Sequence, residues 1–326
     1  MKIPLLLLGG LMAAPLVAGE PYQIAVIPKG TTHEFWKSIH AGAVKAGREF
    51  NAAAGREVVH IIWQGPLRED DREQQVQVVE NFIGRRVDGL VLAPLDRKAL
   101  VEPVETAVRS RIRVVTIDSA LDSPAPSSFI ATDNQEGGRL AARHLGRLLE
   151  GKGNVILLRF AVGSASTEAR EAGFLEVMGR DFPGIKLIST DQYAGGTRDT
   201  ARRVADNLLN RYGRTVDGIF AVNESSAAGM LLALRDAGLA GGRVKLVGFD
   251  TGEVLLDGLR QGDLQGIVVQ NPFKMGYLGV KTMVMVLRGE PVPAVIDTGV
   301  DFVTKENMTD PAMAELLAPP LDQYLK

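Results

Sequence analysis

The residues of this sequence that could do chemistry stand directly after short apolar runs. In open α/β sheets a ligand binds beyond the carboxyl ends of the strands, so polar and aromatic residues at those points are informative. Carboxylates and amides pair with adjacent hydroxyl groups, and an aromatic face covers the C–H surface of a sugar. The residues that suit such recognition are Lys29, His33, Phe35, Trp36, Asp118, Asn223, Asp250 and Gln270.

The sequence motifs of common α/β enzymes are missing. A dinucleotide site needs G-x-G-x-x-G after the first strand, where this chain has PKGTTHEF. Neither a G-x-x-x-x-G-K-[ST] phosphate loop nor a G-x-S-x-G elbow occurs, and the four histidines show no metal-ligand spacing. We therefore expect no cofactor, no metal and no catalysis. A cleft that holds Asp118 and Asp250 leaves an enzyme open as an alternative, which turnover of a bound sugar would reveal.

The elements that must position these residues alternate between strands and helices. Continuous apolar runs predict strands buried on both faces of a parallel sheet. Between them, apolar residues recur at helical spacing, as at Ile39, Ala43, Ala46 and Phe50. The alternation predicts βαβ units. The ten runs begin at Gln23, Val58, Gly89, Val114, Phe129, Asn154, Ile185, Gly218, Lys245 and Gly266.

Ten strands are too many for one short-looped sheet, and 326 residues suggest about two units of roughly 150 residues. We expect an α/β fold of two doubly wound parallel-sheet lobes joined by a hinge. The N-terminal lobe is predicted over residues 20–131 plus 268–295, and the C-terminal lobe over 132–267 plus 296–326. The formal net charge is −2 with no long run of either sign, so we expect no nucleic-acid partner.

The first nineteen residues match a secretory signal peptide. Lys2 is followed by the apolar run at Leu5–Leu8 and by the small-residue end Val17-Ala18-Gly19, which predicts cleavage after Gly19. This run is too short to span a bilayer, and no later stretch is long and apolar enough. The chain has no cysteine, so it can form neither a disulfide nor a lipid anchor behind its signal. These features predict a periplasmic protein.

Eight stretches, in order along nearly the whole mature chain, carry a resemblance to one family. They are IPKGTTHEFWKSIHAGA, VDGLVLAP, VVTIDS, FIATDNQEGG, GSASTEAREAGF, GIFAVNESSAAG, VGFDTGE and GIVVQNPFKMGY. The chain resembles the type I periplasmic sugar-binding proteins, the ribose-binding and LacI-like ligand-domain superfamily. The resemblance implies the sugar-binding component of an ABC transporter, a monomer that closes around a small sugar or polyol and delivers it to the membrane permease.

The resemblance also implies site residues, position by position. The polar residue and two aromatics of the first loop match His33, Phe35 and Trp36, and a lysine that contacts ligand in autoinducer-2-binding relatives matches Lys29. Two departures argue against ribose itself: Ser119 stands where ribose binders commonly have Arg, and Gly195-Gly196 where they have an aromatic, with Tyr193 nearby. The remaining matches are Asp118, Arg170, Asn223, Asp250 and Gln270.

Several alternatives stay open at this point. Phe35 and Trp36 could be core aromatics, Lys29 a solvated lysine, and Arg170 the partner of a glutamate on its own helix. Asp118 and Asp250 could cap the helices that follow them. A periplasmic sensor that presents its ligand to a receptor is the alternative function, and a transcriptional regulator would need a helix-turn-helix in place of the signal. We expect Ser225 and Ser226 to cap a helix, Asp133 and Asn134 to serve the hinge, and Tyr193 and Glu224 to support the site.

Overall fold

Two six-stranded sheets, each covered by helices on both faces, form the frame of the protein. The computed structural model describes residues 20–325, so the predicted signal peptide lies outside the described residues. The first sheet and the helices that connect its strands begin with β1 (Tyr22–Ile27), α1 (Glu34–Ala54), β2 (Val59–Trp63), α2 (Arg72–Arg85), β3 (Gly89–Leu92), α3 (Val101–Arg109), β4 (Arg113–Ile117) and β5 (Phe129–Ala131). We call this part, with the elements that return to it, the first lobe.

The second lobe repeats the pattern. It contains α4 (Asn134–Leu148), β6 (Gly153–Arg159), α5 (Ala165–Asp181), β7 (Ile185–Tyr193), α6 (Arg198–Tyr212), β8 (Gly218–Ala221), α7 (Glu224–Asp236), β9 (Lys245–Phe249), α8 (Glu253–Gln261) and β10 (Gly266–Val269). The chain ends with α9 (Pro272–Leu287), β11 (Val295–Asp297), β12 (Asp301–Val303), α10 (Pro311–Leu317) and a 3₁₀ turn at Leu321–Gln323. Each of the ten apolar runs overlaps a strand, and the predicted fold class is confirmed.

The strand order shows why the apolar runs are continuous. The orders are β11-β5-β4-β3-β1-β2 and β12-β10-β9-β8-β6-β7, and in the described part of the chain every pairing is parallel except that of β10 with β12. The inner strands β3 and β8 are buried at every residue because helices cover both faces of the sheet. The edge strand β7, by contrast, is exposed at five of its nine residues.

The chain crosses between the two sheets after β5, after β10 and after β11. At the crossing, the hydroxyl groups of Thr132 and Thr298 are 3.4 Å apart. Helix α9 packs against α1 so closely that a Cβ added at Gly276 would lie 1.9 Å from the carbonyl oxygen of Ile39. The chain after β10 therefore returns to the first lobe; the exact lobe boundaries stay a prediction, and residue 295 falls inside β11.

Two local features differ from expectation. The helix after GIFAV is capped by Asn223, whose side chain accepts from the backbone N–H of Ser226, so the prediction that Ser225 and Ser226 cap it is wrong. Strands β11 and β12 were not predicted. Among residues 20–325, the structure contains no helix with the length and apolarity needed to cross a membrane.

Candidate ligand-binding cavity

One cavity between the lobes brings all the predicted site residues together. In this closed arrangement it encloses about 40 Å³, well below the roughly 300–1,000 Å³ of small-molecule sites. Both lobes contribute to its walls. The predicted residues that line it are Lys29, His33, Phe35, Trp36, Asp118, Arg170, Asn223, Asp250 and Gln270. That they bind a ligand stays a prediction.

The carboxyl ends of the parallel strands deliver most of these side chains. Asp118 follows β4, and Asp250 follows the corresponding strand β9 of the second lobe. Both aspartates have a positive φ, 62° and 69°, in the left-handed region that non-glycine residues rarely adopt. Their backbone N–H groups still continue the sheets, donating to the carbonyls of Ile130 and Val268. Backbone strain of this kind persists only where the surrounding structure fixes the conformation, and such residues cluster at functional sites.

The wall of the first lobe contains a buried ion pair. The Lys29 Nζ atom lies 2.7 Å from Asp118 Oδ2, and both side chains are almost fully buried. Lys29 also donates to Ser166 Oγ of the second lobe at 3.1 Å. Lys29 is therefore not a solvated loop lysine, and its ammonium group joins the two lobes.

The two aromatics of the first loop are part of the same wall. Trp36 is 2% exposed and meets Phe35 edge to face, with ring centroids 4.9 Å apart. The indole Nε1 of Trp36 donates to Glu69 Oε1 at 2.6 Å. Trp36 also packs on the core of the first lobe, so it both fills the core and lines the cavity.

Arg170 lies at the floor of the second lobe. Its Nε donates to Asn134 Oδ1 at 2.8 Å, and its Nη1 donates to the carbonyl of Val222 at 2.9 Å and lies 3.6 Å from Asp250 Oδ2. The guanidinium also stacks on Phe249, 3.7 Å from the ring centroid. Burial lowers the pKa of Arg170, because removal from water disfavours its charge. Its planar fork is thus fixed before any ligand arrives.

Asp250 and Gln270 form a second fixed pair. Gln270 Nε2 donates to Asp250 Oδ1 at 2.6 Å. Burial raises the pKa of Asp250, although the charge of Arg170 acts in the opposite direction. Gln270 Oε1 and the Ser164 hydroxyl are buried beside the cavity without a hydrogen-bond partner in the described part of the chain. Because unpaired buried polar atoms are costly, these two are candidates to bond a ligand.

His33 and Glu224 pair across the cleft. His33 Nδ1 lies 3.2 Å from Glu224 Oε2, and Arg198 binds the same carboxylate from the second lobe. The hydrogen bond to Glu224 raises the pKa of His33 against the effect of burial. Burial by itself raises the pKa of Glu224, but the hydrogen bonds from His33 and Arg198 outweigh it, and the pKa is lowered. Glu224 lines the cavity, whereas Tyr193 is exposed on β7 and does not.

The lobes are closed on one another around this cavity. The backbone N–H of Ser166 donates to Ser119 Oγ at 3.1 Å, and the backbone N–H of Arg97 donates to the carbonyl of Gly163 at 2.9 Å. Ser119, where ribose binders commonly have Arg, is therefore an interlobe contact. In this closed arrangement, ligand groups reach donors and acceptors of both lobes at once.

Sequence reasoning missed several residues of the cavity wall. Some follow β6 at the start of α5, where the strand-end rule applied to GSAST would have found them. Glu69 carries no such signal. Asp133 caps α4, and Asn134 holds Arg170. In residues 20–325 no group of three or more His, Asp or Glu side chains could hold a metal ion. The missed residues are Glu69, Phe160, Ser164, Ser166, Thr167 and Ser225.

Comparison with known proteins agrees with this architecture. Residues 24–291 match the family model described as periplasmic binding protein domain. The D-ribose/D-allose-binding protein of Pseudomonas aeruginosa is 30% identical over 295 residues, which cover 87% of this chain and 89% of that protein.

Solved structures show the same similarity. A carbohydrate transporter solute-binding protein of Agrobacterium radiobacter, in complex with D-arabinose, is 35% identical with a TM-score of 0.86, covering 91% of this chain and 99% of that one. An ABC transporter solute-binding protein of Agrobacterium vitis, with bound D-fucose, is 33% identical with a TM-score of 0.85, covering 91% and 100%.

The chain belongs to the periplasmic binding protein family, and the predicted resemblance to its type I sugar-binding members is confirmed. This family consists of binding proteins. The chain is accordingly a binding protein and not an enzyme.

Proposed function

We propose that the protein captures a small neutral sugar or polyol between its lobes in the periplasm and delivers it to the permease of an ABC transporter. The observation that carries the proposal is the closed cavity into which both lobes place hydrogen-bonding side chains. Relatives and neighbours with this fold are named for binding ribose and allose or are solved with arabinose and fucose. The predicted signal peptide supports the periplasmic address.

The charges of the cavity favour a neutral ligand. Lys29 is paired with Asp118, and Arg170 lies 3.6 Å from Asp250. Glu224 is paired with a histidine and an arginine. With most of its charges paired internally, the cavity offers charge-assisted hydrogen bonds to hydroxyl groups rather than an excess charge to an ion.

Hinge closure is the proposed mechanism. The first lobe contributes Lys29, Trp36 and Asp118, and the second contributes Arg170, Asn223 and Asp250. A ligand that bridges the lobes binds the closed form better than the open one, and this difference shifts the population toward closure. We propose that the protein acts as a monomer, because one chain provides both walls of the site.

Ligand binding is tested on the mature chain from Glu20 by thermal shift and calorimetry against pentoses, hexoses and polyols. A ligand at 100 times its dissociation constant adds about 2.7 kcal/mol of stability. Asp250→Ala and Arg170→Ala should abolish the shift, whereas Asp206→Ala and Arg203→Ala, on the exposed face of α6, should retain it. No shift with any member of the panel would refute sugar binding. Delivery predicts that deletion of the gene abolishes uptake of the labelled ligand by whole cells.

A further inference from the structure

Glu69 is the exception to the charge pairing of the cavity. Each of the other three carboxylates in the wall lies within 4.0 Å of a cationic side chain, but Glu69 has no cation at that distance in the described part of the chain. Its contact there is the indole N–H of Trp36, which donates to Oε1 at 2.6 Å. An indole N–H can only donate, so it holds one carboxyl oxygen and leaves the other available.

The loop between β2 and α2 brings Glu69 to the cavity because two glycines make room for it. A Cβ at Gly30 of the first lobe would lie 3.0 Å from Glu69 Cγ. A Cβ at Gly196 of the second lobe would lie 2.6 Å from the Cβ of Asp70. With no side chain from Gly196 at this part of the rim, the loop of the first lobe fills the space and its carboxyl group faces inward.

The surroundings of Glu69 make its free oxygen a strong hydrogen-bonding group. Burial raises the pKa of Glu69, while the charges of His33 and Lys29 and the hydrogen bond from Trp36 act against that rise. A ligand hydroxyl that donates to this oxygen would supply a bond that the protein does not supply.

We propose that Glu69 binds the ligand directly and determines specificity: Trp36 fixes Oε1, and Oε2 accepts a hydrogen bond from one hydroxyl of the sugar or polyol. This inference rests on the proposed function and adds a recognition residue to it. Trp36 is then a positioning residue through its N–H, in addition to its packing. The ligand hydroxyl that points to Glu69 is the one by which epimers are distinguished.

The test uses D-ribose, D-allose, D-arabinose, D-fucose and xylitol, and continues with the compound that the mature wild-type chain binds most tightly. Glu69→Ala should weaken its binding about ten- to hundredfold. Glu69→Gln should also weaken binding, because the amide must turn its oxygen to Trp36 and present N–H to the ligand. Glu73→Gln, in the exposed first turn of α2, is the matched control and should bind as wild type does.

Deoxy analogues of the bound compound identify the hydroxyl. For one analogue, the loss of affinity seen with wild type should disappear in Glu69→Ala, whereas the losses for the other analogues should persist. Trp36→Phe should weaken binding in the wild-type background and have a smaller effect in the Glu69→Ala background. A role of Trp36 in packing alone would give the same effect in both.

The outcomes separate this inference from the proposed function. If wild type binds no compound of the panel, sugar binding is refuted and the role of Glu69 with it. If wild type binds but Glu69→Ala binds equally well, or loses affinity without coupling to any single hydroxyl, only the role of Glu69 is refuted. Unfolding curves exclude loss of fold, and the isosteric Glu69→Gln decides the case should Glu69→Ala not fold.

Discussion

Lys29 and Asp118 form an ion pair in the cavity wall, with 2.7 Å between Nζ and Oδ2 and with both side chains almost fully buried. Lys29 stands after β1 and Asp118 after β4, on strands separated by β3. Ser119, next to Asp118 in the sequence, carries no charge. Lys29 instead supplies the cation beside Asp118. The departure from the ribose-binding pattern at Ser119 is matched by a basic residue from another strand.

Lys29→Met should weaken ligand binding about a hundredfold or more and change the stability of the ligand-free protein little. Closure would then bury the Asp118 carboxylate without its cation, and breaking a buried pair costs about 3–5 kcal/mol. Calorimetry and urea unfolding measure the two effects. The double variant Lys29→Met with Asp118→Asn should recover part of the affinity, since it removes the unpaired charge. Equal affinity of Lys29→Met and wild type would contradict the account.

Ligand affinity should fall as pH rises above 6.5, because His33 pairs with Glu224 across the closed cleft. The pairing raises the pKa of His33 above 6.5, so closure favours the protonated ring. The contribution of protonated His33 to ligand affinity is complete below pH 6.5 and is lost as pH rises through the raised pKa of His33. Glu224, Arg198 and Glu69 are the charged groups that face His33.

Calorimetry in two buffers of different ionisation enthalpy measures this effect, because closure should take up protons near neutral pH. His33→Gln should abolish the proton uptake and flatten the affinity profile. His60→Gln is the control, since His60 pairs with Glu57 on the surface of the first lobe. An unchanged profile in His33→Gln would assign the pH dependence to another group.

Most of the frame could be predicted from the sequence, because strands buried on both faces need continuous apolar runs. Strands β11 and β12 could not, because each has three residues, includes exposed positions and carries an aspartate. They form only because the chain crosses twice between sheets that already exist. These two strands depend on tertiary structure, so the hydrophobic periodicity of the sequence does not predict them.

The cavity residues divide in the same way. Asp118, Asp250 and Gln270 end buried strands, so strand order alone brings them together. Glu69 lies six residues beyond the end of β2, and its position depends on Trp36 and on Gly196 in the other lobe. Contacts between loops of distant sequence leave no periodic pattern, which is why this residue was found only in the structure.

Glu171 should make the protein less stable as pH rises from about 4.5 to about 7. This buried carboxyl pairs with Arg159, but burial raises its pKa to about 7, and its Oε1 has no partner in the described part of the chain. When a carboxyl group has a higher pKa in the folded than in the unfolded state, it stabilises the fold fully at pH values below its unfolded-state pKa, here 4.5. This contribution is lost as pH rises through its folded-state pKa. The shift corresponds to roughly 3 kcal/mol.

Urea unfolding of wild type and Glu171→Gln across that pH range measures the contribution of Glu171. The stability of wild type relative to the variant should decrease by roughly 3 kcal/mol between the two ends. Glu176→Gln, on the same helix, is the control: the hydrogen bond from Arg139 outweighs desolvation and lowers the pKa of Glu176. If the difference in unfolding free energy between wild type and Glu171→Gln stays constant with pH, the pKa of Glu171 is the same in the folded and unfolded states.

Gly196→Ala should weaken ligand binding without lowering the stability of the ligand-free protein. The φ angle of Gly196 is not positive, so alanine fits the backbone, but its Cβ would lie 2.6 Å from the Cβ of Asp70 in the opposite lobe. That clash exists only when the lobes close, and overpacking of this kind costs about 1–3 kcal/mol. Gly179→Ala, with no atom within 4 Å of the added Cβ, is the matched control and should leave affinity unchanged. The opposite result would be a lower unfolding free energy of the ligand-free chain with unchanged ligand affinity. In that case the substitution disturbs the folding of its own lobe, and the loop of Asp70 does not contact Gly196 when the lobes close.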